Sequence, residues 1–138
     1  MRIGASLPVG DIGTGPSVIR DYGQAAEDLG FDYIITGDHV MGANPAKPNP
    51  EGVRVGTNEH AVHDPFVVLS FLAGCTTKLG FSTGIVIMPQ RQTVLVAKQA
   101  AGLDRLCDGR FRLGVGVGWN EIEYEGLNQN FHNRGRRS

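Results

Sequence analysis

Leu79-Gly80-Phe81-Ser82-Thr83-Gly84-Ile85-Val86-Ile87-Met88 is an almost unbroken apolar run, rich in β-branched residues. A strand with one wet face alternates apolar and polar side chains. A run of this kind fits a strand covered on both faces, as in a parallel sheet flanked by helices. Its neighbours agree. Downstream, residues 93–106 carry Val96, Ala100, Leu103 and Leu106 or Cys107 at helical spacing, and Asp108-Gly109 ends that helix. Phe111-Arg112-Leu113-Gly114-Val115-Gly116 then reads as the next strand. Upstream, Asp64-Pro65 is an N-cap followed by a first-turn proline, opening a helix through Val68, Leu69, Leu72 and Cys75. Residues 31–36 form a strand before that. An earlier helix starts at Pro16, places Ile19, Tyr22, Ala26 and Leu29 on one face, and stops at Gly30. Residues 2–7 form the first strand.

The resulting order, strand and helix in strict alternation, predicts an α/β fold with a parallel sheet. Two architectures share it. A doubly wound dinucleotide-binding sheet needs G-x-G-x-x-G after its first strand and an acid about 20 residues on. Gly10-Asp11-Ile12-Gly13-Thr14-Gly15 has the wrong spacing, although Asp38 could be the distant acid. Gly114-x-Gly116-x-Gly118 also lacks the full pattern. A (β/α)₈ barrel keeps its chemistry at the C-terminal strand ends. Asp38-His39, Thr83-Gly84 and the run from Gly116 to Trp119 stand at those positions, so the barrel reading is preferred. Residues 41–63, with Pro45, Pro48 and Pro50, are too long for an ordinary βα connection and read as a lid.

Composition narrows the class further. The chain has 138 residues, enough for one domain, and a net charge of −1. Nothing electrostatic calls for a nucleic acid or an anionic membrane as partner. No apolar run reaches membrane-spanning length, and Met1-Arg2-Ile3-Gly4-Ala5 leads into a strand without signal-peptide character. A cytoplasmic location is therefore expected, with Cys75 and Cys107 as free thiols. The stretch from Asn120 to Ser138 is polar, and Arg134, Arg136 and Arg137 read as a solvated end.

Three stretches in this order carry a family resemblance. They are Ile35-Thr36-Gly37-Asp38-His39-Val40, the run from Leu79 to Arg91, and the run from Gly109 to Glu121, with Leu95-Val96-Ala97-Lys98-Gln99-Ala100 between the last two. Together the chain resembles the luciferase-like monooxygenase superfamily, in particular its coenzyme F-420-dependent oxidoreductases. The resemblance extends over residues 1–138 and implies the N-terminal half of a (β/α)₈ TIM barrel. It implies hydride transfer between F-420, or alternatively FMN, and a small organic substrate, with monooxygenation open to the FMN case. It further implies that His39 faces the cofactor ring and that Asp38 orients or charges it. It places Thr83, Gly84 and Ile85 behind the ring, with a cis peptide at Gly84-Ile85. Gly116, Val117, Gly118 and Trp119 line the cofactor rim.

Each position also has a plain structural reading. Asp38 could cap the loop that follows, leaving His39 a surface imidazole. Gly84 could mark an ordinary bulge. Gly116 to Trp119 could be a turn anchored by the indole. Arg91, after Pro89-Gln90, could face substrate or phosphate, but reads rather as half of a surface ion pair. His60-Ala61-Val62-His63, with Asp38 and His39, leaves a metal-dependent hydrolase as an alternative, but three or more converging ligands are not evident and no metal is expected. A third reading is a non-catalytic half-barrel. Its first and fourth strands would be open edges, so self-association into a homo-oligomer is expected.

Overall fold

Residues 1–42, 44 and 62–138 are described by a computed structural model. Most of the lid expected over residues 41–63 lies outside the described residues. The strand segments are β1 (Gly4–Ser6), β2 (Tyr33–Thr36), β3 (Gly80–Thr83), β4 (Val86–Ile87), β5 (Phe111–Arg112) and β6 (Val115–Gly116). The helices are α1 (Val9–Ile12), α2 (Pro16–Asp28), α3 (Pro65–Ala73), α4 (Thr93–Leu106) and α5 (Glu121–Gly126). Among the described residues all strand pairings are parallel. One sheet runs β1-β2-β3-β5, and β4 pairs β6 beyond it. Spatial order follows chain order with no reversal. Doubly wound sheets have a switch point where the order reverses, and this sheet has none. Right-handed crossovers then place successive helices on one side, which is the barrel arrangement.

The register sorts side chains by face. Ala5, Ile34, Phe81 and Phe111 lie opposite one another across the four strands. Ile34 and Phe81 are fully buried, and Ala5 and Phe111 pack against the same core. The alternate row is Ser6, Ile35, Ser82 and Arg112, mixed in polarity and more open. The first row therefore faces the packed helices and the second the opposite face of the sheet. Below the second row sits Tyr33, opposite Gly4 on one side and Gly80 on the other. A Cβ on Gly4 would come within 2.3 Å of the Tyr33 ring, so glycine there makes room for the phenol.

Helix packing follows from the apolar positions. Ile19 and Ala26 of α2 are buried, whereas Tyr22 is half-buried and Leu29 is exposed. Gly23 takes the contact instead. Its missing Cβ would lie 2.5 Å from Leu72 of α3. On α4 the buried positions are Val96 and Leu103, with Cys107 following, while Leu106 is solvent-facing. Gly30, at φ +82°, ends the α2 segment as expected. Both cysteines are free thiols, and burial raises the Cys107 pKa. No described helix is long and apolar enough to cross a membrane.

Three features differ from the expectations. The third and fourth strands are each broken, into β3 and β4 at Gly84-Ile85 and into β5 and β6 at Leu113-Gly114. The glycine-rich loop after β1 contains the short helix α1. The stretch from Asn120 onward is folded rather than loose, because Asn120 caps α5 and Tyr124 is completely buried. Arg134 lies over the Phe131 ring at 3.6 Å and donates to the Gly118 carbonyl at 3.2 Å.

The far end of the sheet is fixed by a single carboxylate. Glu27, near the end of α2, accepts backbone N–H bonds from Thr77 (2.9 Å), Lys78 (2.7 Å) and Leu79 (2.8 Å), and a hydroxyl bond from Thr77. An acid at a helix C-terminus opposes the helix dipole. Desolvation also works against its charge, but the N–H donors outweigh it and its pKa is lowered. The bond set is therefore fully present above the ordinary carboxylate pKa and is lost as pH falls through the lower folded value. Glu27→Ala is expected to cost about 1–3 kcal/mol of stability, read from urea melts. An unchanged midpoint would show that β3 is held by its apolar contacts alone.

Candidate functional site

The C-terminal ends of the strands open on one cleft of about 330 Å³. It is lined by Gly37, Asp38 and His39 after β2, Gly84 and Ile85 between β3 and β4, Ile87 of β4, and Gly116 to Trp119 at and after β6. The imidazole at position 39 and the backbone at position 84 thus share one surface. The size falls in the range of small-molecule pockets, which start at about 300 Å³.

The break in the third strand shapes the floor. Gly84 N–H still donates to Thr36 of β2 at 2.8 Å, while Val86 N–H donates across to Gly114 at 2.8 Å. The Gly84-Ile85 peptide between them is cis. Thr83 does not line the cleft. Its buried hydroxyl donates to the Gly114 carbonyl and accepts from the Gly114 N–H, both at 2.9 Å. It therefore ties together the two broken strands. A Cβ on Gly116 would lie 2.7 Å from Ile85, and one on Gly118 would lie 2.8 Å from Ile87. These glycines are required by the isoleucines packed on them, so internal packing accounts for them without a ligand. Gly118 is also at φ +67°, a conformation unfavourable to other residues.

Asp38 is buried, and both oxygens of its carboxylate accept from partners other than His39. Arg91 donates to both oxygens, at 2.9 and 2.7 Å, and Ile87 N–H donates at 3.0 Å. Arg91 also bonds Asp64 at 2.8 Å, and Asp64 caps α3 by accepting from Phe66 and Val67 N–H. Arg91 is thus no surface pair. It is a mostly buried clamp between the end of β2, the turn after β4 and the start of α3, and its two carboxylate partners raise its pKa further.

The partner that holds His39 is Glu123, 84 residues away and completely buried. His39 Nδ1 and Glu123 Oε1 are 2.8 Å apart, and Gln90 Nε2 donates to the other oxygen at 3.2 Å. The Glu123 bond is the main reason the His39 pKa is raised. Burial opposes it, and the charge of Asp38 adds to it through space. For Glu123, burial pushes the pKa up, but the bonds from His39 and Gln90 outweigh it and the net shift is down. The two shifts define a stability window. The Glu123 contribution is lost as pH falls through its lowered value, and the His39 contribution is lost as pH rises through its raised value. Trp119 meets the His39 ring edge-on at 6.2 Å.

Glu123 and α5 were missed in the sequence. A signal existed, since Asn120-x-x-Glu123 has capping-box spacing. Asn120 does cap, accepting from Ile122 N–H at 3.2 Å. Gln90 Oε1 and Asn120 Nδ2 are both buried without a hydrogen-bond partner among the described residues. His63 lies 3.0 Å from the Thr14 carbonyl, and His60 falls outside the described residues. Among the described residues no group of three or more His, Cys, Asp or Glu is arranged to hold a metal.

Comparison with known proteins adds the family. The model of the luciferase-like monooxygenase family matches residues 1–138. An uncharacterized protein of Mycobacterium tuberculosis is 35% identical over 127 residues, covering 89% of this chain and 44% of its own length. A pyrimidine monooxygenase RutA of Allorhizobium ampelinum is 26% identical over 137 residues, covering 90% of this chain and 34% of the relative. This chain therefore spans less than half the length of these relatives. Among solved structures, the FMN-complexed oxygenating constituent of 3,6-diketocamphane monooxygenase from Pseudomonas putida superposes with TM-score 0.75 at 15% identity, covering 99% of this chain and 37% of that one. The coenzyme F420-dependent tetrahydromethanopterin reductase of Methanopyrus kandleri gives 0.67 at 24%, covering 94% and 30%. These two likenesses establish the fold. The six strand segments and their helices make up about half of a (β/α)₈ barrel.

The clamp is open to test. Arg91→Met would leave the Asp38 carboxylate buried without its counter-charge, at an expected cost of about 3–5 kcal/mol. Denaturant melts measure it, and a loss under about 1 kcal/mol would show that Arg91 contributes no more than a surface pair.

Proposed function

The chain belongs to the luciferase-like monooxygenase family, and from that membership we propose that its cleft carries the ring-facing part of an oxidoreductase site. The cofactor proposed is F-420, with FMN as the alternative, and the substrate is a small organic molecule. The observation that carries this reading is the convergence of His39, the Gly84-Ile85 backbone and Trp119 on one cleft. The lining suits a flat, largely apolar ring system. Ile85 and Ile87 form the floor, glycine backbone keeps it low, and Trp119 supplies a wall. When bound, a deazaflavin would supply hydride transfer, and a flavin could also use oxygen.

The chain's own residues have narrower tasks. Among the described residues that line the cleft, His39 is the side chain able to give or take a proton, since Asp38 is committed to Arg91 and Ile87. A group of that kind stabilises charge that develops on a ring or substrate. Asp38 contributes charge through space rather than a bond to the imidazole. The clamp it forms holds the end of β2 in place, which fixes His39 relative to the floor.

A second feature supports self-association. Among the described residues, β1 pairs with β2 alone, β5 with β3 alone and β6 with β4 alone. Leu113, Val115, Val117 and Trp119, at every second position along the last of these edges, are 41, 54, 39 and 49% exposed. An apolar stripe on an unpaired edge favours pairing with another strand. We propose that the chain self-associates through it.

Two measurements follow. Trp119 is the one tryptophan in the sequence, so F-420 or FMN entering the cleft should quench its emission, and the stronger binder names the cofactor. No quenching by either would overturn the ring-site reading. Sedimentation should show a dimer or larger species, shifted toward monomer by Val115→Lys. A monomer at all concentrations would remove the self-association proposal.

A further inference from the structure

A completely buried carboxylate needs a reason. Glu123 has no exposed surface, and desolvation disfavours its charge. It stands three residues after Asn120, where a capping-box acid would reach back to the N-cap backbone. It turns the other way. Its hydrogen-bond partners are His39 Nδ1 and Gln90 Nε2. Arg91 is bonded to Asp38 and Asp64, and Arg134 to the carbonyls of Gly118 and Phe131. Among the described residues, the titratable group hydrogen-bonded to this carboxylate is His39.

We propose that Glu123 is the positioning residue of the cleft: it accepts the Nδ1 proton of His39, fixes the ring, and leaves Nε2 as the nitrogen presented to a ligand. The geometry supports each part. His39 lines the cleft, yet its Nδ1 edge is held from behind by a side chain that does not line it. Gln90 holds the second Glu123 oxygen, so the carboxylate cannot swing away freely. Trp119 meets the imidazole edge-on and restricts the ring further. An imidazole with one nitrogen committed to a carboxylate has a defined tautomer, and its other nitrogen a defined role. Neutral His39 would accept a proton at Nε2 from the cleft, and protonated His39 would donate one there. The charges that face it are Glu123 from α5 and Asp38 from the end of β2, the latter offset by Arg91 from the turn after β4.

The consequence for catalysis rests on the reading of the cleft as a ring site. The tautomer itself does not, and can be measured on the chain without ligand. Long-range ¹H–¹⁵N correlation spectra resolve imidazole tautomers. The sequence has four histidines, and His39→Gln assigns the signals of His39 by their loss. At high pH the neutral ring should show a protonated Nδ1 and a bare Nε2, the reverse of the form favoured by free histidine. The titration midpoint should lie above the ordinary value of about 6.5. Glu123→Gln keeps an acceptor but removes the charge, so the Nδ1–H form should persist while the midpoint falls. Glu123→Ala removes both, and the Nε2–H form should take over. A protonated Nε2 in the unaltered chain would overturn the proposal, as would an unmoved midpoint in Glu123→Gln. The first of these needs no variant to fold. If the tautomer is as stated and neither F-420 nor FMN binds, the ring-site reading fails while the role of Glu123 stands.

Discussion

The site depends on one buried ion pair. Asp38 is removed from water at the mouth of the second strand, and Arg91 reaches it from beyond the fourth segment with two hydrogen bonds. A charge in that position is unfavourable unless it is paired and bonded, and here both conditions are met. The same guanidinium holds Asp64, which caps α3. Three elements far apart in sequence are thereby fixed relative to one another, and His39 follows directly from the fixed end of β2. The guanidinium stem also lies near Phe66, at 5.9 Å from its ring, so the clamp joins the apolar core.

A second carboxylate does for the side chain what the first does for the backbone. Glu123 comes from α5 and holds His39 without itself lining the cleft. Adjacent in sequence, Asp38 and His39 take separate partners at separate depths. The two breaks have a local physical cause in the Thr83–Gly114 exchange, in which a side-chain hydroxyl replaces ladder bonds between neighbouring strands. That rearrangement lets Ile85 and Ile87 pack against Gly116 and Gly118 and so forms the cleft floor.

Much of this was legible beforehand. The helix over residues 93–106 and the starts of α2 and α3 at Pro16 and Pro65 were placed correctly, because capping and first-turn proline preferences are local. His39, Gly84, Ile85, Gly116, Val117, Gly118 and Trp119 do meet in one cleft, since they stand at strand ends that a barrel gathers together. Thr83 lies outside it because alternation puts its side chain on the same face as Phe81, where its hydroxyl bonds the Gly114 backbone. Of the two roles expected for Asp38, its charge does act on His39 through space, while the bond to the imidazole comes from Glu123.

By itself the sequence determined the alternation of strands and helices, the helix starts and the strand ends at which chemistry collects. Those depend on periodicity and on preferences that act over a few residues. Tertiary structure alone decided that Arg91 binds Asp38 and Asp64, that Glu123 binds His39, and that glycines in the last strand answer to isoleucines in the third. These pairings join residues up to 84 positions apart, and a charge or a missing Cβ carries no local mark of the partner that folding will bring against it.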